Sequence, residues 1–259
     1  MDSAQFEDLF GLAGRTALVT GAAGGLGRAI ATAVGRAGAR VVVNDLDAAQ
    51  AAAAVADLGT RGITARAAVF DVADAAQVDA AAAALQAAGW HVDLLVSNAG
   101  NQNRKPLTAM QPQEWRAIQS VHVDGAFHIC RAFLPGMVER GQGSVVLMSS
   151  VAGQATIPEI SAYATAKGAL AALTRAIAVE YGPRGITCNA LAPGFVRTGF
   201  TTALQQREGF QQFIEQAVPV GRWAEPDDIA PLVLTLAGKA GRFINGQVIA
   251  IDGGMLARM

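Results

Sequence analysis

The chain has 259 residues, 21 acidic against 20 basic side chains and a formal net charge of −1, so it can bury a large core and offers no charge excess for nucleic acid or an anionic membrane. Its start, Met1-Asp2-Ser3-Ala4-Gln5-Phe6-Glu7-Asp8, is acidic and lacks the apolar stretch of a secretory signal, and no unbroken apolar run of about 18 residues offers a membrane span. The two cysteines, Cys130 and Cys188, sit in apolar periodic segments and read as reduced core thiols of a cytoplasmic protein, while His91, His122 and His128 form no spacing that suggests a metal site.

In chain order, residues 1–13 read as an N-terminal extension, followed by a β-branched strand at 16–20 and a helix at 26–37. Strands are expected at 41–45 and 65–70, with a helix at 48–58 between them, and then a helix at 75–88 and a strand at 93–97. A long helix at about 113–138, a strand at 144–148, a helix at 161–181 and strands at 186–190 and 247–251 complete the pattern. Short apolar strands alternating with helices predict an α/β chain with one parallel sheet covered on both faces, and nothing in the composition divides 1–259 into two domains. Residues 197–223 break the alternation and are rich in Gln205, Gln206, Gln211 and Gln212, which fits either a lid over a substrate site or a surface helical pair.

The first strand runs directly into Thr20-Gly21-Ala22-Ala23-Gly24-Gly25-Leu26-Gly27 and a helix. Gly21, Gly25 and Gly27, with Leu26, allow a tight turn in which backbone N–H groups approach a pyrophosphate at the positive end of the helix. The spacing Gly-x-x-x-Gly-x-Gly differs from the common dinucleotide fingerprint, and the strand–turn–helix setting supplies the specificity. Asp45, followed by Leu46, ends the second strand, where a carboxylate can accept from both hydroxyls of an adenosine ribose and repel a 2′-phosphate. No cation stands in the turn or just after Asp45, so NAD is expected in preference to NADP; the competing role for Asp45 is a helix cap or turn. Asp71, followed by Val72, is placed to reach an adenine edge or to cap a helix, and Asn98-Ala99-Gly100 ends the fourth strand as a turn at the cofactor crevice or a plain turn.

Ser149-Ser150 closes the fifth strand, and Tyr163 and Lys167 follow one helical turn apart on one face. An ammonium held about 6 Å from a phenol at an effective dielectric of about 20 favours the phenolate by roughly 3 kcal/mol, about two pKa units. Taken alone, a Tyr-x-x-x-Lys spacing is also what an amphipathic helix presents. In the loop after the fourth strand, Arg104 and Lys105 could pair with a substrate carboxylate, Arg104 by a bidentate fork, or could simply be solvated.

From Gly14 to Gly254 the chain resembles the short-chain dehydrogenase/reductase family, through the ordered set Thr20 to Gly27, Asn98-Ala99-Gly100, Ser150, Tyr163-x-x-x-Lys167 and Asn189-Ala190-Leu191-Ala192-Pro193-Gly194. The resemblance implies a Rossmann-type doubly wound fold, Ser150 holding the substrate oxygen, Tyr163 exchanging the proton, and Lys167 lowering the tyrosine pKa while binding the nicotinamide ribose. It likewise implies cofactor contacts from Pro193, Gly194, Val196 and Thr198, and a homotetramer. The family usually carries an asparagine of a proton relay in the long helix, where this chain has His122 in Val121-His122-Val123-Asp124-Gly125, either a relay substitute or a buried core histidine. Leu9 to Gly14, the loop of residues 98–107 and Asp252 to Leu256 look like the gluconate 5-dehydrogenase branch, which implies an NAD-dependent oxidoreductase of a sugar acid or polyol. A 3-oxoacyl reductase or another secondary-alcohol dehydrogenase shares the same motifs, and a cofactor-binding sensor without turnover is the alternative of a different class.

Overall fold

Asp2 starts the first helix, α1 (Ser3–Phe10), by accepting the Gln5 amide at 2.8 Å while the Gln5 side chain accepts the Asp2 amide at 3.2 Å. The helix lies beside the last long helix of the chain, Asp8 pairs with Lys239, and Leu12 is buried in the main core, so the N-terminal extension is folded onto the body. The structure is a computed structural model and describes residues 2–258.

Seven strands follow: β1 (Thr16–Thr20), β2 (Arg40–Asp45), β3 (Ala65–Val69), β4 (Leu94–Ser97), β5 (Gly143–Met148), β6 (Ile186–Pro193) and β7 (Val248–Ile251). All pair in parallel, in the order β3-β2-β1-β4-β5-β6-β7, which is the doubly wound arrangement the sequence predicts. Along a strand the side chains alternate between two cores. Ala17, Val19, Val41 and Val43 pack with Ile30 and Val34 of α2 (Gly25–Arg36), Leu58 of α3 (Ala48–Thr60) and helix Pro226–Ala237. On the other face, Leu18, Val42 and Leu95 meet Val78 of α4 (Ala75–Ala87), Ile129 of the long helix and Leu170 of the Tyr163 helix.

Two elements depart from the expected pattern. The long helix of 113–138 is α5 (Pro112–Gln119) and α6 (Gly125–Arg140), joined by π-helical backbone over Ser120–Asp124. The helix Pro226–Ala237 is absent from the sequence reading, because Pro226 and Pro231 interrupt its apolar pattern. Yet Pro226 stands in the first turn, where no N–H is needed, and Glu225 and Asp228 close a capping box. Strand β6 extends to Pro193, beyond the expected 190, since β7 pairs with Ala190 to Pro193. Residues 197–223 form two short helices, α8 (Thr202–Gln205) and α9 (Phe210–Ala217), with an apolar cluster of their own; α7 is Ser161–Tyr181 as expected, and Pro226–Ala237 is α10. Among the described residues no helix is long and apolar enough to cross a membrane.

Candidate active site

The strand order reverses direction between β1 and β4, and a crevice of about 680 Å³ opens there over the carboxyl ends of the strands. Its floor at one end is the glycine turn. Gly21 and Gly25 hold φ of 61° and 53°, the left-handed region that a side chain disfavours, and a Cβ on Gly27 would lie 2.2 Å from the Gly21 carbonyl oxygen. Gly24 caps α2 without a side chain, so the first-turn amides face the crevice with no side-chain acceptor, the donor set that an anion at a helix N-terminus requires.

Asn98 holds this turn in place. Its Nδ2 donates to the Thr20 and Gly21 carbonyls at 2.9 and 3.3 Å, while the Asn98 and Ala99 amides donate to Thr20 Oγ1 at 2.9 and 3.0 Å. The side chain therefore staples β4 to the turn, and Ala99 and Gly100 line the crevice beside it.

Asp45 and Leu46 also line the crevice. Asp45 is not a helix cap: Asp47 caps α3, and the Asp45 carboxylate accepts from the Ala23 amide at 3.2 Å and its own Leu46 amide at 2.9 Å. Asp71 is likewise free of capping duty, because Asp74 caps α4; Asp71 accepts from the Ala73 amide at 2.8 Å and lines the crevice with Val72. Arg28, the first cation after the glycine turn, is bound to Asp57 and to the Ala54 carbonyl at 2.5 Å. The opposite wall comes from the end of β6 and the segment after it, with Pro193, Gly194, Val196 and Thr198. A glycine cradle, uncapped amides, an acidic group at the ribose end and an ammonium with spare donors fit a nicotinamide dinucleotide.

At the other end, β5 delivers Ser149 and Ser150 and α7 delivers Tyr163 and Lys167. Ser149 Oγ donates to the Lys167 carbonyl at 2.8 Å, and a Cβ on Gly153 would lie 2.9 Å from the Lys167 carbonyl carbon, so the turn after β5 is packed directly on α7. Ser150 Oγ accepts from the Ala152 amide at 3.1 Å and keeps its proton for another acceptor. Lys167, 4% exposed, donates from Nζ to the Met148 carbonyl at 2.5 Å and stands 5.3 Å from the centre of the Tyr163 ring.

The electrostatics differ from the expectation for the Tyr–Lys pair. Burial pushes the Lys167 ammonium down to about 7. Burial also pushes the Tyr163 phenol above its ordinary value, and the groups that pull it back are the Ser150 hydroxyl and the Arg104 guanidinium, not Lys167. A charge favours a phenolate only where it outweighs the desolvation of that phenolate, which sequence spacing does not report.

His122 is 2% exposed and meets Tyr163 edge to face, with ring centres 5.4 Å apart. Desolvation, then the Lys167 charge, hold its imidazole down at about 3, against a weaker opposite pull from the Asn101 backbone. Of the two loop cations, Lys105 pairs with Glu114, which holds that carboxyl down at about 2, and its amide donates to the Glu159 carbonyl at 3.0 Å. Arg104 lines the crevice and makes no ion pair among the described residues. The sequence reading missed Phe200, 45% exposed with its ring 6.1 Å from Tyr163, and the cluster of Phe195, Phe210, Phe213 and Trp223 behind it. The spacing of five aromatic residues over 195–223 was the available signal. It also missed Glu159, a non-glycine residue at φ 71°, whose carbonyl anchors the loop.

The profile described as enoyl-(acyl carrier protein) reductase matches residues 21–256. The chain is 38% identical over 249 residues to 5-keto-D-gluconate 5-reductase of Escherichia coli, covering 96% of this chain and 98% of that one. It is 36% identical over 248 residues to gluconate 5-dehydrogenase of Gluconobacter oxydans, covering 96% and 97%. A crystal structure of a gluconate 5-dehydrogenase from Burkholderia cenocepacia in complex with NADP and tartrate superposes with a TM-score of 0.95 at 37% identity, over 97% of this chain and 99% of that one. The chain belongs to the short-chain dehydrogenase/reductase family of nicotinamide-dependent oxidoreductases.

Proposed function

We propose that the protein interconverts a hydroxy sugar acid and its keto acid, with Tyr163 exchanging the proton and Ser150 donating to the substrate oxygen. The observation that carries this reading is Arg104, a guanidinium that makes no ion pair among the described residues and lines the same crevice as Ser150 and Tyr163. A bidentate hydrogen-bonded pair with a substrate carboxylate is the contact that such a group makes best. The names of the Escherichia coli and Gluconobacter oxydans relatives point to the same substrate class.

When bound, the nicotinamide supplies the hydride acceptor for oxidation or the hydride donor for reduction. Tyr163, kept protonated by burial, is ready to donate to a ketone oxygen, and must reach the phenolate to remove the proton of an alcohol. Lys167, with one protein acceptor and two further N–H groups, is placed to hold the nicotinamide ribose. The glycine turn with Leu26, Asn98-Ala99-Gly100, Asp71 with Val72, and Pro193, Gly194, Val196 and Thr198 make up the rest of the dinucleotide site.

NAD is the proposed cofactor. Asp45 lines the crevice beside the glycine turn and is the group proposed to meet the ribose, and Arg28 is paired with Asp57 and so not offered to a 2′-phosphate; the Burkholderia cenocepacia relative was solved with NADP, and the choice here rests on this local charge. Residues 197–223 are proposed as the substrate lid, since Phe200 and Leu204 line the crevice from it. The single unit spans 1–259 in this reading and works as a cytoplasmic homotetramer, for which the exposed Phe127, Val179 and Phe243 supply apolar contact surface.

The test is NADH absorbance with NAD and gluconate, in the reverse direction with a keto sugar acid, and in parallel with neutral polyols and 3-hydroxyacyl esters. Sugar acids are expected to turn over with the highest kcat/KM. Preference for a hydroxyacyl ester would overturn the substrate class, and no turnover of any secondary alcohol despite tight NAD binding would overturn the enzymatic reading.

A further inference from the structure

The π-helical stretch Ser120–Asp124 carries His122 at its centre. Such π-helical turns are rare and frequently mark functional sites. The Cε1 corner of the ring packs on Gly100, where a Cβ would come within 2.6 Å of it, and the ring meets Tyr163 edge to face. His122 Nε2 lies 2.9 Å from the Asn101 carbonyl oxygen and 3.3 Å from the Asn101 amide nitrogen. The Asn101 N–H can donate to a bare Nε2 and the Asn101 carbonyl can accept only from a protonated one, so the two contacts compete; the shorter favours the proton on Nε2, which leaves Nδ1 a buried acceptor with no hydrogen-bond partner among the described residues.

The loop that follows β4 is held at both ends. At the far end, Asn103 Nδ2 donates to Glu114 at 3.0 Å, Lys105 pairs with the same carboxylate, and the Lys105 amide donates to Glu159. At the near end, Asn101 Nδ2 donates to the Ala117 carbonyl at 2.9 Å and the Asn101 carbonyl meets His122. Arg104 is flanked by Asn103 and Lys105 of the far anchor and follows the near anchor at Asn101 by three residues.

We propose that His122 is a positioning residue: by donating from Nε2 to the Asn101 carbonyl it fixes the loop that presents Arg104 to the crevice it shares with Tyr163, and so ties carboxylate recognition to the proton-transferring phenol. The proposal rests on the reading of Arg104 given above. It differs from a purely space-filling role, which any ring of similar size would meet.

The test compares His122→Phe, which keeps the ring and loses the donor, with His122→Gln, whose amide N–H can reach the place of Nε2. In the full-length enzyme, hydrogen exchange of the amides of 101–105 is expected to speed up about tenfold in His122→Phe, the equivalent of a hydrogen bond of about 1.4 kcal/mol, with no change over 20–27. The ratio of the KM for a sugar acid to the KM for a neutral polyol is expected to rise by a similar factor, and His122→Gln should restore both. In ¹⁵N spectra of the wild type, His122 should remain the neutral Nε2–H tautomer from about pH 5 to about pH 9. Unchanged exchange of 101–105 in His122→Phe, an Nδ1–H tautomer, or an equal rise in both KM values would overturn the proposal. Arg104→Met, measured alongside, separates the two readings: an unchanged acid-to-polyol ratio there refutes Arg104 as the carboxylate site, while exchange and tautomer still decide the His122 anchor.

Discussion

Replacing Lys167 by Met should stabilise the cofactor-free protein while removing its activity, and the gain should depend on pH in one direction. Met keeps the length and packing of the stem and removes a charge that the fold desolvates. Lys167 has a folded value of about 7 against an ordinary 10.5. Between those values the unfolded chain binds a proton that the folded chain does not, so wild-type stability rises with pH through that window. The penalty is nearly full below the folded value and absent above the unfolded one. It amounts to roughly 5 kcal/mol at 1.36 kcal/mol per unit, of which roughly 2 kcal/mol should be relieved between about pH 7 and about pH 9. Loss of the bond from Nζ to the Met148 carbonyl offsets about 1–3 kcal/mol of the gain and does so independently of pH. Urea unfolding of both proteins, followed by circular dichroism at matched concentration without cofactor, gives the difference at each pH. The variant's advantage should shrink from about pH 7 to about pH 9; an advantage that stays constant would show that Lys167 is not desolvated as the structure implies.

Asp45→Asn should raise kcat/KM for NADP relative to NAD by about fivefold, since a partly buried carboxylate repels a nearby phosphate by about 1 kcal/mol; an unchanged ratio would remove Asp45 from cofactor choice. Gly27→Ala places a methyl 2.2 Å from the Gly21 carbonyl oxygen and 2.6 Å from Asn98 Nδ2, so it should lower stability by about 1–3 kcal/mol and weaken NADH binding seen by fluorescence, and full binding would contradict the cradle. Trp223→Ala removes a side chain that is 2% exposed in the separate apolar cluster of 195–223. Its cost of about 3–5 kcal/mol should fall on that segment, as new protease cleavage and a raised substrate KM with the main thermal transition kept, whereas a drop of the main transition without selective cleavage would argue against an independent lid.

Most of the scaffold was legible in the chain. The β1 and α7 boundaries agree with the periodic pattern to the residue, because a fully buried parallel strand and a 21-residue helix leave strong apolar signatures. Helix α10 was not, since its prolines mimic a loop while tolerating the first turn and one interior position. The order of the motifs also located the glycine turn, Ser150, Tyr163 and Lys167 on one crevice. The separation of Asp45 and Asp71 from the capping residues Asp47 and Asp74 needed coordinates, because aspartates two or three positions apart at a strand end are equivalent cap candidates in a sequence.

The sequence by itself pointed to the reaction class, through an ordered set of motifs, the glycine turn, Ser150 and Tyr163-x-x-x-Lys167, that resembles the short-chain dehydrogenase/reductase family. Only the tertiary structure decided the electrical state of those groups and the fate of the loop cations. Desolvation drives Lys167 and His122 down and Tyr163 up, and a carboxylate 9 positions away takes Lys105 and leaves Arg104 to the crevice. These outcomes are sums over neighbours brought together from distant parts of the chain, and spacing along a helix contains only one of the terms.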